Sequence, residues 1–288
     1  MDRPVLDLVR RRFSCRTYLD KPVEAKVLSR LTDFLADRTA GPFWAPVRLT
    51  LVAASDGDAA ALKGLGTYGT IRHPQGFLIG VLGPGGRNLE DFGYLMEEAV
   101  LRATDLGLGT CWLGGFFQKS RFAAKAGAAE EGSVPAVVSV GYCADEAGSG
   151  GFFGRLSRRS TRLPPESLFF SGGFDRALPA DEAGPFAPAL ESVRQAPSAS
   201  NKQPWRIVRQ GGRWHFYLRR TKGYNTGMLS RLFGQADLQR VDMGIAMCHF
   251  DLAAREAGLA GAWELADPGL ALPDGLTSYT ATWRPSLP

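Results

Sequence analysis

Two stretches of this 288-residue sequence end alike, and that repetition constrains the fold more than any other feature. EEAVLRATDLGLGTCWL in the first half and HFDLAAREAGLAGAWEL in the second each pass from a helical pattern through Gly-Leu-x-Gly into a strand carrying tryptophan. Glycine is the expected helix stop, because it turns left-handed without a Cβ penalty. The first helix is predicted over 88–106, with Phe92, Leu95, Met96, Ala99, Val100, Ala103 and Leu106 on one face. The second is predicted over 238–257, with Val241, Ile245, Cys248 and Leu252 at helical spacing. Such a chain reads as an internal duplication.

The remaining elements follow that division. In the first half, Val23, Val27, Leu28, Leu31, Phe34 and Leu35 mark an amphipathic helix after Pro22, and strands are predicted over 48–53, 77–82 and 136–140. In the second, strands at 205–208 and 214–218 flank Gln210-Gly211-Gly212-Arg213, a two-glycine hairpin signal, and 278–283 closes the chain's pattern. The predicted class is α+β, with a mixed, mostly antiparallel sheet in each half flanked by helices. The halves are placed at 1–170 and 189–288, the second being shorter. Residues 171–188 (SGGFDRALPADEAGPFAP) read as a linker or wrapping segment, rich in Gly, Pro and Ala.

Composition narrows the function classes. Hydrophobic residues make up 44% and charged residues 22%, near the averages for soluble globular chains. No apolar run reaches the roughly 18 residues of a membrane span. The opening MDRPVLDLVRRRFSCR lacks the apolar core of a secretory signal, so a cytoplasmic protein without membrane contact is expected. Cys15, Cys111, Cys143 and Cys248 lie far apart with no CxxC, and the chain has only three histidines. Reduced thiols and no metal site are therefore expected. The net charge of +5 is gathered at 10–16, 155–162 and 219–222. No zinc-finger, helix-turn-helix or RNP-like pattern accompanies these clusters, so no nucleic-acid partner is expected.

Three segments carry chemistry. Arg11-Arg12-Phe13-Ser14-Cys15-Arg16-Thr17-Tyr18 follows a short amphipathic helix and could surround an anion with charge-assisted hydrogen bonds, or simply be a basic helix end. Ala196-Pro197-Ser198-Ala199-Ser200-Asn201-Lys202-Gln203-Pro204-Trp205 offers several short donors between prolines, which suits a polar cofactor edge or an ordinary turn before a strand. Gly107-Leu108-Gly109-Thr110-Cys111-Trp112-Leu113-Gly114-Gly115-Phe116 ends in a glycine pair that lets backbone N–H groups approach a planar ligand, or closes a strand at a tight turn.

Together these segments resemble the nitroreductase family, in its fused-repeat branch. Arg12 to Tyr18 resembles the family's opening motif, and Pro197-Ser198-Ala199-Ser200-Asn201-Lys202-Gln203-Pro204-Trp205 its second flavin motif. GLGTCWLGGF with Gly141-Tyr142 resembles the third, and the Arg-rich stretch over 155–170 the fourth. The order departs from ordinary members, in which the Pro-Ser-x-x-Asn-x-Gln-Pro-Trp motif follows Arg-Ser-x-Arg by a single helix. Here that place holds Arg38-Thr39-Ala40-Gly41-Pro42-Phe43-Trp44, and the intact motif opens the core of the second half, which lacks an Arg-Ser-x-Arg. Ordinary members are homodimers whose FMN sites draw a motif from each subunit. The resemblance therefore implies one FMN site per chain, built between the halves of a monomer with an internal pseudo-twofold.

The resemblance also assigns roles. Arg12 would bind the FMN phosphate, helped by Arg159 or Arg162; Ser14 would reach the ribityl chain, and Arg16 the ring near N1 and O2. Leu113, Gly114 and Gly115 would lie near N5 and O4, with Pro197, Ser198, Ala199, Asn201 and Gln203 against the ring and ribityl. Phe13 stands where a basic or polar residue is common, and Gly114 where some members carry glutamate. No catalytic side chain is implied: NAD(P)H reduces the flavin, which reduces a nitro, quinone or similar small electron acceptor in ping-pong fashion. The alternatives are a degenerate flavin-binding protein without turnover, or a specialised substrate, as in reductive dehalogenation or flavin breakdown.

Two further patterns are expected to be structural. Gly64-Leu65-Gly66-Thr67-Tyr68-Gly69 matches GxGxxG but follows an alanine-rich stretch rather than a strand, so no dinucleotide fold is expected; Tyr68 and Gly69 are instead candidates to lie near the flavin. Asp242 and His249 share a helix face and read as hydrogen-bonded core residues.

Overall fold

A computed structural model describes residues 1–54, 59–115, 117–128, 132–144, 162–224 and 236–286. The chain divides into two compact units, Met1–Arg159 and Ser160–Pro288.

In the first unit, helices α1 (Val5–Arg11) and α2 (Ala25–Ala36) precede strand β1 (Val47–Ala53). Strand β2 (Gly76–Leu82), the long helix α3 (Asn88–Asp105), β3 (Gly109–Leu113), α4 (Lys119–Lys125) and β4 (Val137–Gly141) follow. The sheet has the order β1-β2-β4-β3, and every pairing is antiparallel. Phe77, Ile79, Cys111, Leu113, Phe117, Phe122 and Val137 share one core cluster, into which Cys15 and Tyr18 also pack.

The second unit opens with β5 (Phe169–Ser171), a short helix α5 (Ala180–Ala183) and α6 (Ala187–Gln195). Strands β6 (Trp205–Gln210) and β7 (Arg213–Arg219), the long helix α7 (Leu238–Glu256), β8 (Gly261–Glu264) and β9 (Thr277–Pro285) complete it. Its sheet runs β5-β6-β7-β9-β8, with β5 parallel to β6 and the rest antiparallel. The hairpin between β6 and β7 turns at Gly211 and Gly212, both at positive φ, as its sequence signal requires. An aromatic core joins Phe186, Trp214, Phe250 and Trp283, whose ring centroids lie 5.2–5.9 Å apart. Phe186 belongs to the segment between the predicted halves, so that segment packs into the second core.

The two units share one topology. Setting aside β5, the order β6-β7-β9-β8 repeats β1-β2-β4-β3, with the long helix joining the second strand to the third in each. The helix ends repeat in atomic detail. Gly107 (φ 85°) and Gly258 (φ 75°) are left-handed. Leu108 N–H donates to the Ala103 carbonyl and Leu259 N–H to that of Ala254, each at 2.9 Å; Gly107 and Gly258 bond Thr104 and Arg255, each at 3.0 Å. Both ends are thus the six-residue glycine cap that satisfies the last carbonyls of a helix. The predicted bounds of both long helices hold to within one residue at the C-terminus.

Cys15 and Cys143 are joined as a disulfide, which corrects the expectation of four reduced thiols. Their Cα atoms lie 6.2 Å apart, inside the range a disulfide spans, because the Tyr18↔Cys143 bridge sets the two segments side by side. Cys111 and Cys248 are buried and outside this disulfide. The GxGxxG stretch follows a 3-10 turn at Ala59–Leu62, not a strand, as expected. Among the described residues no helix is long and apolar enough to cross a membrane, and no cluster of His, Cys, Asp and Glu could hold a metal ion.

Candidate functional site

Strand β3 lies at an edge of the first sheet, and an unpaired edge must be covered or paired. The Arg12–Arg16 segment does this. Helix α1 ends at Arg12, whose N–H bonds the Leu8 carbonyl at 2.8 Å and whose backbone then turns extended. Ser14 bridges Thr110 in parallel, and Cys15 N–H donates to the Thr110 carbonyl at 2.9 Å. Arg72 N–H then donates to the Arg16 carbonyl at 2.8 Å. Alternation along this extended run aims Cys15 into the core and leaves Ser14 and Arg16 exposed.

Arg12 is the exception that points to a ligand. Its residue is 8% exposed, and its Nε is buried without a hydrogen-bond partner. Burial pulls the guanidinium below the usual arginine range, with the charges of Glu97 and then Cys111 opposing that shift. Beside it on β3, the Thr110 hydroxyl is buried and also unpartnered. The Cys111 thiol is pushed up by burial, against the pull of Arg16, Arg12 and the Ser14 hydroxyl, so all three side chains act on one point of β3. Buried donors without partners are costly, and an anionic, oxygen-rich group would satisfy both. Leu113 is buried at the end of β3, Gly114 is half-buried and Gly115 exposed; a Cβ added at Gly115 would meet nothing. Phe13 packs against the core cluster.

The second unit builds a different cluster. Residues 197–203 form a loop between α6 and β6, in which Ser200, Asn201 and Gln203 all take positive φ, at 49°, 54° and 49°. Three non-glycine residues in that region within four positions is a strained arrangement that surrounding bonds must hold. Ser198 Oγ accepts from Gln203 N–H at 2.9 Å, and Gln203 Oε1 accepts from Leu163 N–H at 2.8 Å. Asp242 Oδ1, on α7, accepts from Ala199 N–H at 2.9 Å. Arg162 donates to the carbonyls of Gln195 (2.8 Å) and Ala196 (2.6 Å) and to Asn201 Oδ1 at 3.1 Å. Pro197 is half-buried, Asn201 exposed and Gln203 buried. Arg159 lies outside the described residues, as do 155–161 generally.

The structure thus draws Arg12, Ser14 and Arg16 onto β3 in the first unit, and Ser198, Ala199, Asn201, Gln203 and Arg162 into one loop in the second. His249 is buried and bonds the Ser192 carbonyl through Nδ1 at 2.9 Å. Asp242 reaches Ala199 instead, so the two are core residues with separate partners. Sequence reasoning missed what Asp242 holds. The available signal was its position, sixteen residues before Gly258, matching Asp91 before Gly107.

The family model described as "Putative TM nitroreductase" matches residues 4–254. A solved structure from Thermotoga maritima, described as a putative nitroreductase, is similar over 98% of this chain and 94% of its own, at 17% identity and a TM-score of 0.61. A nitroreductase family protein from Clostridium difficile covers 55% of this chain with 92% of its own, at 19% identity and a TM-score of 0.43. A structure described as an oxidoreductase containing FMN covers 60% with 94% of its own, at 20% identity and a TM-score of 0.44. No curated protein matches the sequence. The family match runs from before Arg12 to the last turns of α7, across both clusters: the chain belongs to the nitroreductase family.

Proposed function

We propose that the chain is an FMN-dependent NAD(P)H oxidoreductase that reduces small nitro, quinone or similar acceptors, and that it works as a monomer. The observation that carries the flavin assignment is the buried Arg12 guanidinium with its unpartnered Nε beside the unpartnered Thr110 hydroxyl. A bound flavin supplies the two-electron chemistry, and the protein supplies binding, orientation and electrostatics.

Arg12 holds the phosphate: an arginine offers up to five N–H donors in a planar fork, and one of its nitrogens is already buried and waiting. Ser14, on the same extended run, binds the ribityl hydroxyls. Arg16 places a cation near the pyrimidine edge of the ring, where it stabilises added negative charge. Gly114 and Gly115 present backbone N–H groups without a side chain in the way. In the second unit, Pro197, Ser198, Ala199, Asn201 and Gln203 form the other recognition loop, and Arg162 braces it by donating to Asn201 Oδ1 and to the Gln195 and Ala196 carbonyls just before it.

The test is the absorption spectrum of the purified protein before and after adding FMN, then NADPH and a nitroarene. A bound-flavin spectrum that bleaches with NADPH and recovers with the acceptor is expected. Arg16→Ala should weaken FMN binding or lower the flavin's potential; unchanged affinity and turnover would count against the assignment. Failure of the protein to take up FMN would refute it.

A further inference from the structure

The two long helices carry an equivalent carboxylate, and in both units it holds the loop that precedes the first strand of the repeat. In the first unit, Asp91 accepts from Phe43 N–H at 2.9 Å through Oδ1 and from Ala45 N–H at 2.8 Å through Oδ2. Gly41 lies so close that an added Cβ would sit 2.6 Å from Asp91 Oδ1. In the second unit, Asp242 Oδ1 accepts from Ala199 N–H at 2.9 Å, and its Oδ2 is buried without a partner. The loops correspond: Gly83 N–H bonds the Pro46 carbonyl at the end of β2, and Arg219 N–H bonds the Pro204 carbonyl at the end of β7. One scaffold contact has therefore been kept in both units, while only the second loop retains Pro-Ser-x-x-Asn-x-Gln-Pro-Trp.

We propose that Asp242 is a positioning residue for the cofactor loop: its carboxylate fixes Ala199 and thereby the left-handed run through Ser200, Asn201 and Gln203 that presents the loop to FMN. This rests on the flavin reading above. Asp242 sits deep in α7, at 2% exposure, so it acts through the loop and not on a reactant. Within the loop, Asn201 N–H bonds the Ser198 carbonyl at 2.9 Å and Lys202 N–H the Ala199 carbonyl at 3.2 Å. Ser198 Oγ ties Gln203, and Arg162 ties the carbonyls of Gln195 and Ala196, but the Ala199 amide has Asp242 as its anchor. Asp91 does the same work for a loop that has lost the motif, which makes it an internal control.

The test compares Asp242→Ala, Asp242→Asn and Asp91→Asn with the wild-type full chain. FMN affinity is read by quenching of flavin fluorescence, and amide exchange of the 197–205 peptide is read without flavin. Asp242→Ala should weaken FMN binding about tenfold or more, since it leaves the Ala199 amide without its acceptor, and should speed exchange at Ala199. Asp242→Asn keeps an acceptor oxygen and should restore both. Asp91→Asn should leave FMN affinity unchanged. If Asp242→Ala does not fold, Asp242→Ser, too short to reach Ala199, is read in the same way. Wild-type FMN affinity in Asp242→Ala, or an equal loss in Asp91→Asn, overturns the proposal. Should the wild-type chain take up no FMN, the flavin reading fails, and with it the presentation of the loop to FMN; exchange at Ala199 then reports on the brace alone, which unchanged protection in Asp242→Ala would also sink.

Discussion

At the scale of single residues, the most instructive side chains are buried and polar. Arg12, Ser14 and Arg16 could be picked from the sequence, because Arg-x-Ser-x-Arg is an anion-binding composition and alternation along a strand is local. Glu97 and Asp242 could not, because their roles depend on partners far away in the chain: Trp112 Nε1 donates to Glu97 Oε2 at 2.8 Å, and Asp242 holds Ala199. His215 is a third such case. It pairs with Thr282 across β7 and β9, its Nδ1 2.8 Å from the Thr282 hydroxyl, and is 3% exposed. Burial lowers its pKa from the ordinary histidine value, with the bond to the Gln210 backbone opposing. The unfolded chain therefore takes up the proton first as pH falls, so the contribution of His215 is full above about 6.5 and is lost as pH drops through the folded-state value. Asp91 works the other way: burial raises its carboxyl to about 6, so its protonation favours the folded state as pH falls below that. The wild-type pH profile mixes both, and the difference between wild type and His215→Gln isolates the imidazole. In urea denaturation the stability gap between the two should be larger at pH 7.5 than at pH 5.5; a gap that stays constant or widens on acidification would contradict this account.

At the scale of elements, the long helices and their stops were legible because both signals are local: apolar spacing sets the helix, and a glycine sets its end. Sheet order was not legible, since it depends on which strand edges meet, and α5 was hidden in a stretch rich in proline and glycine. The disulfide was hidden for the same reason. Cys15 and Cys143 are separated by 128 positions, and only the bridge between Tyr18 and Cys143 makes them neighbours. The bond crosslinks the Arg12–Arg16 segment to the end of β4, on the run proposed to bind FMN. Thiol titration of the protein denatured without reductant should find two thiols, Cys111 and Cys248, and four after reduction. Cys143→Ser should lower stability by about 2–5 kcal/mol relative to the oxidised wild type, as a crosslink closing a long loop implies. Four thiols before reduction would show that the crosslink does not form.

At the scale of the whole molecule, the architecture is repeated and the chemistry divided. The sheet order and the glycine caps match closely between the units. The side chains differ on that shared scaffold. Trp112 and Trp263 each follow the stop glycine by five residues, but the first bonds Glu97, while the equivalent helix position in the second unit is Cys248 and the Trp263 indole N–H is buried without a partner. The recognition motifs divided in the same manner. Arg-Phe-Ser-Cys-Arg occurs once, in the first unit, and Pro-Ser-Ala-Ser-Asn-Lys-Gln-Pro-Trp once, in the second. Two complete flavin sites would need two copies of each, so the proposal carries a stoichiometry: one FMN per chain. Titrating apo-protein with FMN and measuring flavin released on denaturation, against protein mass, should reach a plateau at one. Arg12→Ala alone and Asn201→Ala alone should each reduce occupancy of that one flavin, because neither motif has a spare copy. A plateau at two would mean that a second site is assembled from residues bearing neither motif.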